Sequence, residues 1–599
     1  MKRILRIPLI MLKRVAYILM SAPVVLFAIG WLKWYWASLV IIATVSVFIC
    51  SCMGKKNRTD ETLCISVSAL IIVAFIILIW VWLSGAGGFW GQSDDYEYRN
   101  AIFRDLILRK WPVIYEKTGH ALVYYIGFWL FPALFGKLAL LFGAGDAVAF
   151  NVGSVAVFLW TFVMLMIVAL LIINYLHAFT RKKQIFAILL FIFFSGMDLI
   201  CMIGGIRGRM FHLEWWAMHY QYSSFTTCLF WVYNQALPAW LCFMCLLHEK
   251  KLSSYVFIGM VCLFCAPLPF VGFFIYAVAL GVIRAVDFFR HKQAGKLIWE
   301  LFSLPNILSV LIIFPIIAAY LLSNEAIHGA GSIQVSEKGY YIENDEGEKD
   351  PIYSYETDSK GNQLTYEEVE DITNQNLAYG LIAFVCLELL IGLIILFKRL
   401  KKKFWYYLAY LPVISVLVFA ISKFKDVDIY QENMLSTYFS FICVEFLLYM
   451  IMIFKKYRKE PLYYVTVLSL MVIPFIRIGY SMDFSMRASI PGLVMVYLMT
   501  ARFLMEDRDC LKIKSSLPRL CYVLLVVFLC IGAATPICEM FRNTRQVYLH
   551  GIRYEGRDDV YTLGCDGPYD EPGQIKTYGN FVAVEPENQT FFKVFGRMK

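Results

Sequence analysis

The chain has 599 residues, of which 60% are hydrophobic, 17% aromatic and only 17% charged, with a mean hydropathy of +0.63. A soluble protein of this length would carry closer to a quarter charged residues, so a soluble globular fold is excluded. The formal net charge of +10 is held in short basic clusters between apolar runs, the pattern of cytoplasmic loops and not of a nucleic-acid-binding surface.

Apolar runs of ~20 residues, each long enough to cross a hydrocarbon core of ~30 Å, recur along nearly the whole chain. They are continuous and not alternating, which excludes a transmembrane β-barrel. The expected fold class is an all-α polytopic transmembrane protein with about 13–15 spans. These are placed near 15–31, 35–52, 63–84, 147–175, 185–203, 225–247, 253–267, 270–287, 302–322, 377–397, 405–421, 434–454, 462–480, 487–502 and 519–536. With the N-terminus inside, the basic clusters Lys2–Arg14, 54–58, 180–184, 248–251, 290–296, 397–403, 455–459 and 508–514 all fall on the cytoplasmic side.

In chain order, residues 1–62 form two N-terminal spans with a basic loop, and 63–322 form a transmembrane core. The apolar stretch 121–145 is not counted as a span. Its Pro132, Gly136 and Lys137 and its aromatic residues suit interfacial helices. Residues 85–146 then make one exterior loop. In the 253–287 region, Pro267 and Pro269 predict two short helices broken between them. Residues 323–376 carry thirteen acidic residues against three lysines and read as a small strand-rich insert or a flap. Residues 377–536 hold the C-terminal helices. Residues 537–599 are polar with little helical periodicity and read as an exterior β-rich cap, with Cys538 and Cys565 able to pair. The sixteen cysteines mostly lie in apolar runs, and their CxxC pairs lack nearby His or acidic ligands, so no metal site is expected. No cleavable signal is expected, because no small-residue cleavage site follows Met1–Arg14.

Ionisable groups at membrane helix ends are costly, so their clusters are functional candidates. Four are exterior in this topology: 93–115 with Asp94, Asp95, Tyr96 and Tyr98; 207–224 with Arg207, His212, Glu214 and Trp215; 423–433; and 477–492 with Arg477, Asp483 and Arg487. Together they supply carboxylates for proton abstraction, arginines for phosphate, and Tyr or Trp faces such as Tyr98 and Trp215 for a sugar ring or lipid head group. In the first cluster Asp94 and Asp95 are adjacent. Their mutual repulsion raises one of their pKa values unless a cation compensates, which suits a general base. No Walker motif, nucleotide-binding GxGxxG, GxSxG elbow or HExxH is present. Chemistry outside the membrane without a soluble nucleotide calls for a substrate already activated, such as a lipid-linked phosphate sugar.

The order Asp94-Asp95-Tyr96-Glu97-Tyr98, about twenty amphipathic residues, "LVYYIGFWLFPALFGKLALLFG", then a span opening "AVAFNVGSVAVFLW" resembles the N-terminal third of GT-C-fold membrane glycosyltransferases. That superfamily includes protein mannosyltransferases and lipid A aminoarabinose transferases. The likeness covers roughly residues 63–290, with Tyr124, Tyr125, Lys137 and Phe142-Gly143 matching the interfacial segment. The stretches "FSGMDLI", "EWW", "WVYNQALPAWL" and "MRASIPGL" also resemble a group of related bacterial multi-span proteins. Two spans precede the superfamily's first, and Asp95 stands where Glu is commoner.

The resemblance implies a GT-C-like fold in a bacterial plasma membrane; the basic clusters and the span count predict a cytoplasmic N-terminus and an exterior C-terminus. It implies sugar transfer from a polyprenyl-phosphate-linked donor to a glycan, lipid or protein acceptor of the cell envelope. Asp94, with Asp95 next, would be the base. Arg487, then Arg477, Arg207 and Lys137, would bind the donor phosphate. Glu214 and His212 would assist as a second acid–base or as metal ligands, beside Trp215, Tyr98 and Tyr124. No cofactor is assigned; a divalent cation (Mg or Mn) is left open, since metal dependence varies across the superfamily. The rivals are a transporter or flippase of lipid-linked glycans, which would show charges at mid-span, where Glu388 and Glu445 are the few present, and a glycan polymerase or ligase, which would carry Arg and His in a late loop.

Overall fold

The structure is a computed structural model. It describes residues 4–53, 61–93, 95–116, 118–201, 212–217, 220–328, 341–343, 349–351, 353–357, 362–365, 428–430, 433–476, 482–512, 517–552 and 581–598. In chain order the first elements are β1 (Ile4–Pro8), α1 (Leu9–Trp31), α2 (Trp34–Phe48), β2 (Thr62–Ser66), α3 (Val67–Leu83), α4 (Tyr96–Leu108), β3 (Ala121–Leu122), α5 (Gly127–Leu141) and α6 (Asp146–Tyr175). There follow α7 (Arg181–Ile192), α8 (Asp198–Cys201), α9 (Phe225–His248), α10 (Tyr255–Cys265), α11 (Pro267–Arg290), α12 (Ala294–Leu301), α13 (Leu304–Leu308) and α14 (Phe314–Leu322). Short strands β4 (Tyr341–Glu343), β5 (Lys349–Pro351), β6 (Tyr353–Thr357), β7 (Gln363–Thr365), β8 (Asp428–Tyr430) and β9 (Asn433–Met434) come next. The chain ends with α15 (Leu435–Ile442), α16 (Leu448–Tyr457), α17 (Pro461–Val472), α18 (Asp483–Ala488), α19 (Ile490–Glu506), α20 (Leu517–Gly532), α21 (Ala534–His550) and β10 (Val582–Ala583).

Among the described residues, eight helices are long and apolar enough to cross a membrane, and Val67–Leu83, Gly127–Leu141, Leu252–Cys265 and Pro461–Phe475 are shorter apolar helices. The protein is therefore an all-α polytopic membrane protein; among the described residues the few strands pair in two-stranded sheets. The stretch left uncounted in the sequence folds as α5, 15 residues long, or about 22 Å at 1.5 Å per residue. That falls short of the hydrocarbon core. The expected break after 253 is present at Ala266 (φ −151°, ψ 71°), with Pro267 opening α11. Pro at the first helical position sacrifices no hydrogen bond, so the chain restarts there. The spans expected at 377–397 and 405–421 lie outside the described residues. In the acidic insert, β4–β5 and β6–β7 are antiparallel hairpins.

The C-terminal segment differs from expectation. Where a polar β-rich cap was expected from residue 537, the helix α21 continues to His550. Glu539, Arg542 and Asn543 interrupt the apolar run, but all three are among the α21 residues and Glu539 and Asn543 are buried. The polar positions face a packed interior, so the loss of hydropathy does not end the helix. The candidate Cys538–Cys565 pair lies outside the described residues, because Cys565 does.

The chain divides into two compact units: residues 1–189, 228–333 and 543–599, and residues 190–227 and 334–542. In the first unit α4, α5 and α6 pack closely. A Cβ on Gly136 or Gly153 would come 2.8 or 2.6 Å from Ile107, so small residues set that spacing. At one end β1 pairs antiparallel with β2. At the other, β10 pairs with β3, the Lys33 N–H donates to Phe595 O at 2.9 Å, and the Arg597 N–H donates to Trp31 O at 2.8 Å. The C-terminal tail thus fastens the α1–α2 turn to the first loop. In the second unit, a π-helical turn at Cys443–Leu447 joins α15 to α16, and residues 194–198 pass beside it, with the Met197 N–H donating to Val444 O at 3.1 Å.

Candidate functional site

The residues singled out in the sequence fall in two groups, one in each unit. In the first unit, α3 ends at Ser84 and the chain turns through Gly85, Gly87 and Gly88, all at positive φ, before α4 begins. Asp94 lies outside the described residues. Asp95 stands at the head of α4, and its carboxylate accepts from Arg99 Nη2 at 2.7 Å, one turn on. The Asp95 side chain is 44% exposed and that of Arg99 6%, so a buried guanidinium orients a carboxylate that still meets solvent. Tyr96 is anchored beneath: its hydroxyl donates to Ser84 O at 3.0 Å and its ring stacks on Tyr233 at 5.3 Å. Burial holds the Tyr96 hydroxyl well above its ordinary pKa, and it acts there as a neutral donor.

Tyr98 and Tyr124 meet on a third ring. Tyr98 stacks on Phe581 at 5.6 Å and Tyr124 meets the same ring edge-on at 5.0 Å. The C-terminal tail supplies Phe581, a partner no local pattern points to. Tyr124 is further held by the Tyr320 hydroxyl, which donates to its carbonyl at 3.0 Å, and by a hydroxyl contact with Tyr125. Lys137 has a different neighbourhood. Its ammonium donates to the carbonyls of Ile107, at 3.1 Å, and Arg109, and lies 5.2 Å from the Trp111 ring. It serves the end of α4, where carbonyls lack helical partners, and so ties α5 to α4.

The second unit contains a buried acid–base cluster. Asp198, Glu214, Glu445 and Glu539 are each at most 2% exposed. Glu214 accepts from the Ser224 N–H at 2.8 Å, Thr227 Oγ1 at 2.5 Å and Gln221 Nε2 at 2.9 Å. His212 Nδ1 lies 2.5 Å from Glu539 Oε1, and Arg542 holds the other Glu539 oxygen at 2.8 Å. Trp215 packs edge-on against the His212 ring at 4.3 Å. Asp198 accepts from Trp216 Nε1 at 3.0 Å and Thr535 Oγ1 at 2.7 Å. Glu445, carried on the π-helical turn, is buried in the neighbourhood of Asp198 and Trp216. Burial, with the nearby charges of Asp198 and Glu539, pushes Glu214 up to about 7 against the opposing pull of His212.

Of the proposed phosphate ligands, Arg487 is buried and pairs with Asp483 at 3.0 Å, while Arg477 and Arg207 lie outside the described residues. No group of three or more His, Cys, Asp or Glu residues able to hold a metal ion occurs among the described residues. Glu214, His212 and Trp215, one cluster in the sequence, lie within one short stretch of the structure, with Trp215 against the His212 ring. Sequence reading missed Asp198, Glu539 and Arg542, and noted Glu445 only as a charge inside an apolar run. That charge was the available signal, since a carboxyl kept inside a span needs partners. Chemically, the first unit offers an oriented, solvent-facing carboxylate beside an aromatic wall. The second offers a buried chain of groups able to hold and pass a proton. No protein-family model, curated protein or solved structure matches this chain.

Proposed function

We propose that the protein is a membrane glycosyltransferase of the GT-C type, moving a sugar from a polyprenyl-phosphate-linked donor to a cell-envelope acceptor on the outer face. The observation that carries this reading is Asp95, fixed by Arg99 at 2.7 Å at the head of α4, within a short turn of the end of the apolar helix α3. A carboxylate in that position accepts the proton of an acceptor hydroxyl or amine as the donor phosphate leaves the anomeric carbon. Asp94 is its neighbour in the same role. Tyr98 and Tyr124, converging on Phe581, supply apolar faces against which a sugar ring can lie. The test is transfer of radiolabelled sugar from polyprenyl-phosphate donors in membranes. Asp95→Asn or Asp94→Asn is expected to cut transfer by about 10²-fold or more without loss of the protein from the membrane. The same assay on Arg487→Ala, Arg477→Ala, Arg207→Ala and Lys137→Ala identifies the cation that receives the phosphate. Full transfer by both aspartate variants sinks the assignment.

A second reading draws on the other unit. Glu445 and Glu539 lie in helices of membrane-crossing length and join Asp198, Glu214 and His212, as a proton-coupled transporter of lipid-linked glycans would require. It predicts no transfer by the wild type with any donor, and lipid-linked glycan stranded on one leaflet in a deletion strain.

A further inference from the structure

The helix pair α10 and α11 diverges from the break at Ala266, and the opening between them is a groove of about 420 Å³. Its walls include Tyr255, Gly259, Phe273, Val278, Gly281 and Leu297, and Asn306 is its one amide. Asn306 does not face the groove as an unsatisfied group: its Nδ2 donates to Leu252 O at 2.9 Å and to Leu301 O at 3.1 Å, closing the floor. Gly281 leaves the groove wide, with no atom within 4 Å of where its Cβ would stand. The surroundings are those of a surface in contact with lipid. Only 22% of the α11 span is buried in the protein, and Phe274, Val278, Val282 and Val286 expose an apolar stripe at four-residue spacing. Beside the groove, α12 exposes Trp299 and Ile298 while burying Leu297, as a helix lying in the membrane interface does.

The two ends of the groove differ in charge. At the Ala266 end, Cys265 and Phe264 abut Gly127 of α5, the first-loop side of the unit. At the opposite end the described cations include Lys13, Lys250, Lys251, Arg284, Arg290, Lys292 and Lys296, against Glu61, Glu249, Asp287 and Glu300. Glu249 is taken by Lys13 at 2.9 Å and Glu300 by Arg284 at 3.5 Å. Arg290, Lys292 and Lys296 are exposed along the end of α11, the turn and the start of α12, two helices that both supply groove walls, and Lys296 Nζ donates to Gln293 Oε1 at 3.1 Å.

We propose that this groove is a binding site for an anionic glycerophospholipid, one acyl chain lying between α10 and α11 and the phosphate at Arg290, Lys292 and Lys296. An apolar slot open to the bilayer with cations at one end matches an anionic lipid in both chain and head group. The head group lies at the membrane face opposite the first loop, so the lipid is separate from the sugar donor and the proposal stands independently of the transferase reading.

The experiment uses the full chain, purified in mild detergent, with native mass spectrometry to count retained phosphatidylglycerol against phosphatidylcholine. The wild type is expected to retain phosphatidylglycerol in preference, and the triple variant Arg290→Gln, Lys292→Gln, Lys296→Gln to lose that preference by roughly fivefold per residue neutralised. Gly281 lines the groove and a Cβ there meets no protein atom within 4 Å, so Gly281→Phe is expected to obstruct the groove and abolish retention while leaving the melting temperature unchanged. Equal retention of the two lipids by the wild type, or undiminished retention by Gly281→Phe, overturns the proposal. So does retention of a polyprenyl phosphate in place of phospholipid.

Discussion

Three donors converge on the carboxyl of Glu214, from Ser224, Thr227 and Gln221, yet its pKa stands at about 7. Desolvation therefore outweighs the hydrogen bonds. The folded-state value lies above the ordinary one, so between pH about 4.5 and 7 the folded protein keeps a proton that the unfolded chain has lost. The contribution of this group to stability is full below that window, falls through it as pH rises, and is flat above it. Glu214→Gln removes the titration, so its melting temperature is expected to change less across this window than that of the wild type. Parallel melting profiles for the two proteins would show that Glu214 titrates elsewhere. In the sequence Glu214 was legible as a candidate acid–base group beside His212 and two tryptophans, but its buried partners were not. Its partners Asp198 and Glu539 come from distant segments, and no local spacing encodes a cluster assembled by long-range packing.

At the scale of elements, local chemistry was read well where it is local. Pro267 marks the α10–α11 break, and Pro132 with Lys137 marks a helix too short to cross. The α20–α21 continuation was missed because hydropathy measures lipid contact, whereas Glu539 and Asn543 are buried in protein. The seam beside α20 rests on a glycine: a Cβ on Gly532 would stand 2.6 Å from Ser195 O, 2.9 Å from Gly196 O and 2.9 Å from Tyr449 Oη. Two of those atoms are backbone, and the Tyr449 hydroxyl already donates to Ser195 O at 2.9 Å and to Phe528 O at 3.2 Å. Gly532→Ala must push α20 off the 195–196 turn, at a cost of ~1–3 kcal/mol. A thermal melt followed by a thiol-reactive dye should show the lowered midpoint, while Gly295→Ala, with nothing within 4 Å, should melt as the wild type does. Equal midpoints for the two variants would mean that the seam yields without cost.

On the scale of the whole first unit, the C-terminal tail decides which loops share a side. Two-residue strands such as β3 and β10 leave no mark in a sequence, so this pairing could not be read there, even though the charge pattern had assigned both segments to the exterior. The tail is held by burial as well as by strand pairing. Phe591 is wholly buried, 5.9 Å from the Phe27 ring and 5.2 Å from Tyr320. Phe591→Ala is therefore expected to lower stability by ~3–5 kcal/mol, seen as a lower melting temperature and as protease cleavage of the tail. The Arg597 guanidinium adds bonds to Ile29 O at 2.7 Å and Gly30 O at 2.5 Å, at the end of α1. The start of α1 belongs to the other face, where β1 pairs with β2, Lys13 meets Glu249 at 2.9 Å and Ser51 meets Ser254 at 2.7 Å. Helix α1 runs from one face to the other, so the tail and the 115–126 segment must emerge on the side opposite Glu61 and Lys250. Epitope tags placed after Lys599 and within the Gly119 turn should be reached by antibody from one side of intact cells together. A tag in the Lys292 turn is expected to be reached only after the membrane is opened, as the positive-inside pattern of the sequence predicts for that turn. Labelling of the Gly119 and C-terminal tags from opposite sides would dismantle the β3–β10 pairing, and with it the placing of Phe581 beside Tyr98 and Tyr124.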